Sequence, residues 1–264
     1  MTFFSRLGLR AAVAVVCGLA FAPVVAKADV QTIRKANTAY WLGAGAAQHN
    51  YKESVTPTPN SQHGWITSLG GGLDYMGVND LYLSADASVS FGADYYKGAY
   101  LISGAPYEGT THATITTIDG KIGKGFAVSN EIMLTPYVDL SFRYWDRNLG
   151  NQQVENYYHF AALAGGMAQY SPADRWVLTM YGAMGGTFGA HMKTEGMNFN
   201  LGNAAIYKAG AKISYGLTDR WDVFTSLDFD HFRYVRSKVI NGYYEPSSFT
   251  NDTVLRVGVA YHMW

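Results

Sequence analysis

The chain has 264 residues, equal numbers of basic and acidic side chains and only 15% charged residues, against 29 Gly, 20 Tyr and 6 Trp. That composition excludes a disordered polar segment and a strongly basic nucleic-acid binder. The single cysteine, Cys17, excludes a disulfide scaffold or a thiolate metal centre.

Residues 1–28 begin with Arg6 and Arg10, continue with an apolar run over 11–25 and end Ala26-Lys27-Ala28. This order predicts a cleaved secretory signal peptide. Its removal takes three bases (Arg6, Arg10, Lys27), no acid and the only cysteine. The remaining 29–264 is then a single domain of 236 residues in which 17 bases face 20 acids, a net charge of −3. No later apolar run approaches the roughly 20 residues that a spanning helix needs.

Beyond residue 28 the dominant signal is period-two alternation, which places successive side chains on opposite faces of a strand. From His63 to Met76, Trp65, Leu69, Leu73 and Tyr75 share one face and Asp74 the other. From Asp80, Leu81, Leu83, Val89 and Phe91 oppose Asp86 and Asp94. From Ile132, Leu134, Val138, Leu140 and Phe142 oppose Asp139 and Arg143, and in the last segment Leu255, Val257, Val259 and Met263 oppose Asp252, Arg256 and His262. One face apolar, the other small or charged, is the pattern of a barrel wall between lipid and lumen. Aromatic pairs about ten residues apart (Trp65 with Tyr75, Tyr158 with Tyr170, Trp176 with Phe188) fit two interfacial girdles.

Ten strands are predicted, over 38–52, 63–76, 80–97, 110–124, 130–147, 153–170, 175–193, 202–216, 221–239 and 250–264. Either phase fits the fourth between Thr114 and Lys121. Short turns at 77–79, 171–174 and 218–220 alternate with longer connections after Lys52, Lys97, Asn148, Lys193 and Val239, so the short turns and both chain ends belong at the periplasmic rim. The predicted fold is an all-β, transmembrane, antiparallel up-and-down barrel of ten strands, with eight strands plus a separate hairpin as the alternative.

The ending Arg256-Val257-Gly258-Val259-Ala260-Tyr261-His262-Met263-Trp264 resembles the C-terminal signal of bacterial outer-membrane barrels, although Trp264 stands one residue out of the outward phase. The resemblance implies an outer-membrane location and handling by the barrel-assembly machinery through the strand that ends at Trp264. The strand number, with the segments 208–215, 221–227 and 253–261, also resembles the omptin family of outer-membrane proteases. That family implies acidic residues on the second outer loop and an Asp-x-His pair on the fourth. The corresponding positions here hold only Glu108, and Glu195 near His191, so the resemblance extends to the architecture and not to the catalytic motif.

The sharpest acidic cluster is Asp228-Phe229-Asp230-His231. Asp228 and Asp230 share a face and form a candidate carboxylate pair for acid/base work. The competing reading pairs both with Arg256 inside the lumen. Asp230 and the adjacent His231 face opposite sides. With Asp86, Asp139, Arg143, Lys208, Lys212, Asp228, Asp230 and Arg256, together with Asp94, Asp119, Lys121 and His159, the lumen becomes a polar ladder of mixed sign that holds the strands in register. The seven histidines show no metal-ligand spacing, and no phosphate loop or nucleophile elbow occurs. Neither a cofactor nor a metal is expected, nor a nucleic-acid partner.

The expected partners are outer-membrane lipids and lipopolysaccharide, with Lys52, Lys97, Arg147 and Lys193 near its phosphates. A monomer is expected, with Asn241 to Pro246 as the most distinctive exposed segment. These features favour a structural, surface-interaction or adhesin-like role, with a displaced omptin-like hydrolase and a narrow channel as alternatives.

Overall fold

The computed structural model describes residues 29–54, 60–150 and 152–263. The predicted signal peptide and Trp264 lie outside these. A helix α1 (Val30–Ala36) precedes β1 (Ala39–Glu53), β2 (Ser61–Met76), β3 (Leu81–Ala99), β4 (Pro106–Lys124), β5 (Phe126–Ala127), β6 (Ile132–Leu149), β7 (Gln153–Ala173), β8 (Trp176–Thr194), β9 (Met197–Asn200), β10 (Ala205–Gly216), β11 (Trp221–Tyr234) and β12 (Ser248–His262).

Ten of the strands form a continuous antiparallel ladder. Each long strand pairs with its neighbours in chain order, β8 pairs with β10, and β12 returns to β1. Closure removes the free edges that an open sheet would expose. The two short strands are additions, β5 on β6 and β9 on β8. The ten-strand count therefore replaces the eight-strand alternative. The outer surface carries exposed Leu42, Trp65, Leu69, Val138, Leu140, Met180 and Val257, an apolar belt that suits hydrocarbon rather than water. The strands are longer than the roughly 9–11 residues that span a bilayer, so they project beyond the belt. The fold is a transmembrane antiparallel up-and-down barrel.

The ambiguous fourth segment resolves into one phase. Ile118 and Ile122 are exposed, whereas Thr117, Asp119 and Lys121 line the interior. Its many threonines suit either face, so only the charged partners across the lumen decide.

Two connections expected to be long are tight. β6 and β7 run on to Leu149 and from Gln153. After β8 the chain turns through Glu195 (φ 48) and Gly196 (φ 74), two successive positive-φ residues that make a primed hairpin turn, and then pairs back as β9.

The short-turn end is stoppered by α1. Asp29 caps the helix, its carboxylate accepting from the Gln31 amide at 3.0 Å. Ile33, with no exposure, packs into a cluster containing Met76, Tyr82, Met133, Tyr137, Met167 and Val177. Arg34 donates to both oxygens of Asp80 at 2.6 and 3.0 Å. The Asn37 and Gln169 amides exchange hydrogen bonds of 2.7 and 2.9 Å.

Candidate functional site

Alternation sends most of the charged side chains of the strands into the lumen, where they meet across it in three layers. In the lowest, Lys121 contacts Asp86 at 2.9 Å. Lys208 donates to Asp119, to Asp139 Oδ2 at 3.3 Å and to Ser141 at 3.2 Å. Arg256 donates to Asp228 Oδ2 at 3.0 Å, and Asp228 Oδ1 accepts from Tyr181 at 2.7 Å. Lys212 places its ammonium 4.6 Å from the centre of the Phe224 ring.

The middle layer centres on Asp252. One carboxylate oxygen lies 2.6 Å from His49 Nδ1 and the other 2.7 Å from Arg143 Nη2. Arg143 also lies over the Phe232 ring. His159 sits close by, its Nδ1 2.9 Å from the Tyr234 hydroxyl.

The upper layer is built round Arg147, which is 1% exposed. Its guanidinium donates to Glu155 at 2.7 Å and to Gln62 at 2.8 Å, and lies 3.5 Å from Glu53. Its planar face rests on Tyr51, Tyr96 and Trp145. The connection between β11 and β12 supplies the third acid. Ile240 and Tyr243 bridge a tight turn through Asn241 (φ 51) and Gly242 (φ 87), and the chain then folds inward so that the buried Glu245 accepts from Tyr157 at 2.7 Å and Tyr51 at 3.2 Å. Burial, with Glu53 and Glu155 beside it, holds the Glu245 carboxyl well above the ordinary range of a glutamate. Two acids thus meet the guanidinium directly, and the third reaches the layer through Tyr51 and Tyr157.

Between α1 and this aromatic layer lies a cavity of about 220 Å³. Ten of the twelve ladder residues singled out from the sequence line it: Asp86, Asp119, Lys121, Asp139, Arg143, Lys208, Lys212, Asp228, Asp230 and Arg256, with Asp94 and His159 outside its lining. Asp228 and Asp230 both face inward but are held differently. Asp228 meets Arg256, whereas the register partners of Asp230 are Lys208 on one side and Asp252 on the other. His231 faces away, with Nδ1 2.7 Å from Asn251 Oδ1.

Two placements correct the sequence reading. Arg147 does not face the outer lipid surface but is buried in the lumen, because it continues the inward phase of Asp139 and Arg143 along β6. Within the segment from Asn241 to Pro246, Glu245 is buried rather than exposed. Lys52, Lys97 and Lys193 remain outside, Lys97 paired with Glu108 at 3.0 Å. The residues that reading missed are His49, Glu53, Glu155 and Glu245. The first three stand in inward phases and were detectable by extending the alternation to the strand ends.

The omptin comparison positions stay apart from the lumen. Glu108 is an exposed partner of Lys97 and Tyr95, Glu195 occupies the β8–β9 turn, and His191 stacks on Tyr158.

A scan against family models finds no match to the chain, and a search of curated proteins finds none either. Among solved structures the chain is similar to the outer membrane protease OmpT from Escherichia coli, at 9% identity over 86% of this chain and 97% of that one, with a TM-score of 0.54. Weaker similarities run to the β domain of the Bordetella autotransporter BrkA (12% identity, 85% and 99% covered, TM-score 0.43) and to Neisserial surface protein A (14%, 85% and 97%, TM-score 0.35). At these identities the likeness to OmpT concerns the fold, a ten-stranded barrel, and leaves the activity of this chain to its own residues.

Proposed function

We propose that the protein is an integral barrel of the bacterial outer membrane, exported by its N-terminal segment, with a lumen closed at rest and a structural or surface-interaction role carried by its outer loops. The observation that carries this reading is the double stopper. Ile33 of α1 is fully buried at one end, and Arg147 with its aromatic and carboxylate neighbours is fully buried at the other. Among the described residues the cavity lies between these two ends. Exposed Lys52, Lys97 and Lys193 near the long-loop end suit contact with lipopolysaccharide phosphates, and the closing strand β12 suits recognition by the barrel-assembly machinery.

The test is electrical. Folded protein, verified by a heat-dependent change in gel migration, is placed in planar bilayers, and the expected result is no conductance steps. Steady ohmic conductance would overturn the closed-lumen reading and leave the narrow channel in its place. Fractionation with inner membrane or periplasm would overturn the location.

A further inference from the structure

Charge is sorted by face over the outer ends of β11, β12, β1, β2 and β3, within residues 229–234, 248–253, 48–53, 61–65 and 93–97. There every carboxylate (Glu53, Asp94, Asp230, Asp252) points into the lumen, and every lysine or arginine (Lys52, Lys97, Arg233) is exposed on the outside. The register joins these cations into one row: Arg233 pairs with Phe249, Phe249 with Lys52, Lys52 with Ser61 and Ser61 with Lys97. Two strand spacings, about 10 Å, separate each cation from the next. Lys97 has Glu108 at 3.0 Å, but among the described residues Lys52 and Arg233 meet no carboxylate.

The next row towards the membrane is His231, Asn251, Asn50 and His63, flanked by Tyr207 and Tyr95. The row below that begins with Phe229 and ends with Trp65, both exposed at the edge of the apolar belt, where aromatic rings favour the headgroup boundary. From hydrocarbon outward the sector therefore offers apolar rings, then imidazoles and amides, then cations. The far wall lacks this order. Lys193 shares its row with Asn156 and Asp146, and exposed Glu195 follows it at the turn.

We propose that this sector binds one phosphorylated glycolipid of the outer leaflet, with phosphates at Arg233, Lys52 and Lys97, sugar hydroxyls on the His231 to His63 row, and acyl chains against Phe229, Trp65 and the belt. The proposal rests on the outer-membrane reading above and narrows its lipopolysaccharide contacts to one face. Cations alone suit any anionic lipid, but a row of amide and imidazole groups between cations and hydrocarbon suits a sugar. A second copy of the chain packed symmetrically on this face would bring like charges together, and a soluble acidic protein would leave Phe229 and Trp65 uncovered.

The experiment is native mass spectrometry of the detergent-folded barrel titrated with bisphosphorylated lipid A, with the same lipid stripped of its phosphates, and with phosphatidylglycerol. The expected result is one lipid A per chain, with the other two lipids held roughly tenfold more weakly. Lys52→Gln with Arg233→Gln should weaken lipid A binding roughly thirtyfold, about fivefold for each cation lost. Asn50→Ala with His63→Ala should weaken lipid A and leave phosphatidylglycerol as it was. Absence of saturable binding, equal binding of the three lipids, or a dimer of the chain in place of retained lipid would overturn the proposal. An equal loss in Lys193→Gln would spread the contact round the barrel and overturn the assignment to this face. The measurement needs no cell, so a negative result counts against this surface and not against the membrane location, which fractionation decides.

Discussion

Arg147 and Glu155 are joined at 2.7 Å at a depth where the two side chains are only 1% and 5% exposed. Removing the cation leaves Glu53 and Glu155 without the guanidinium that lies against both. Arg147→Met is expected to lower the stability of the folded barrel by about 3–5 kcal/mol, read from the denaturant midpoint by fluorescence, with Trp145 as the local reporter. Arg147→Lys retains charge but loses the fork and the flat face that rests on three rings, and should fall between. Adding Glu155→Gln to Arg147→Met should restore part of the loss. A strictly additive double variant would show that the two side chains are not coupled.

The connection between β11 and β12 should respond to pH. The folded-state value of Glu245 is raised above the 4.5 of an ordinary glutamate, chiefly by burial, so folding favours the protonated form. Its contribution is complete below that ordinary value and is lost as pH rises through the window up to the raised one. Trypsin cleavage at Arg236 and Lys238 should accelerate on going from acid towards alkaline pH. Glu245→Gln, which still accepts from Tyr51 and Tyr157, should flatten that dependence after correction for the pH profile of the protease. An identical profile in wild type and variant would exclude Glu245 as the latch.

The stopper at the opposite end rests on one apolar anchor and one partly exposed ion pair. Ile33→Ala removes a fully buried side chain and should cost about 2–5 kcal/mol of helix docking, seen as faster trypsin cleavage at Arg34 and Lys35, while the bilayer stays silent because the Arg147 layer still closes the far end. Asp80→Asn should have a small effect at neutral pH, within about 1 kcal/mol, because Asn tolerates the positive φ of 58° at this turn. Arg34 holds the Asp80 carboxyl below its usual 3.8. Its contribution is present above that value and disappears as pH falls through the lowered one, so the acid sensitivity of helix docking should shrink in the variant.

Asp228 and Asp230 should separate by substitution although they are two residues apart on one face. Asp228→Asn leaves Arg256 without its carboxylate and weakens the contact from Tyr181, a loss of about 1–3 kcal/mol. Asp230→Asn removes a carboxylate whose register partner on β12 is another acid, Asp252, and should be neutral or stabilising. Thermal midpoints of the two variants in the same detergent decide the order. The reverse order would reassign the partner of Arg256.

Strand number, the lipid-facing phase and the inward ladder were legible because each follows from alternation within a segment. Which ladder residues touch was not. Lys208 meets Asp119 and Asp139 across 89 and 69 residues of sequence, and such meetings depend on barrel diameter and stagger, which no single strand encodes. Arg147 illustrates the limit. Its phase is that of Arg143, but its place near a strand end suggested the membrane surface, and only the inward fold of Glu245 and the extension of β6 to Leu149 bury it. The tight turn at Glu195 and Gly196 was hidden for a simpler reason: a glutamate at positive φ gives no composition signal.

His49 and Asp252 are register partners on β1 and β12, so their 2.6 Å contact spans the seam where the first and last strands of the barrel meet, 203 residues apart in sequence. It forms only when the cylinder shuts. Arg143, on the far wall, grips the other oxygen of the same carboxylate, so the arriving last strand completes a polar layer already assembled from β1 and β6. A one-residue slip of β12 would turn Asp252 towards lipid and bring Asn251 or Thr253 inward, leaving His49 and Arg143 without their anion. The seam therefore proofreads its own alignment: correct closure is the one arrangement that satisfies both buried bases at once.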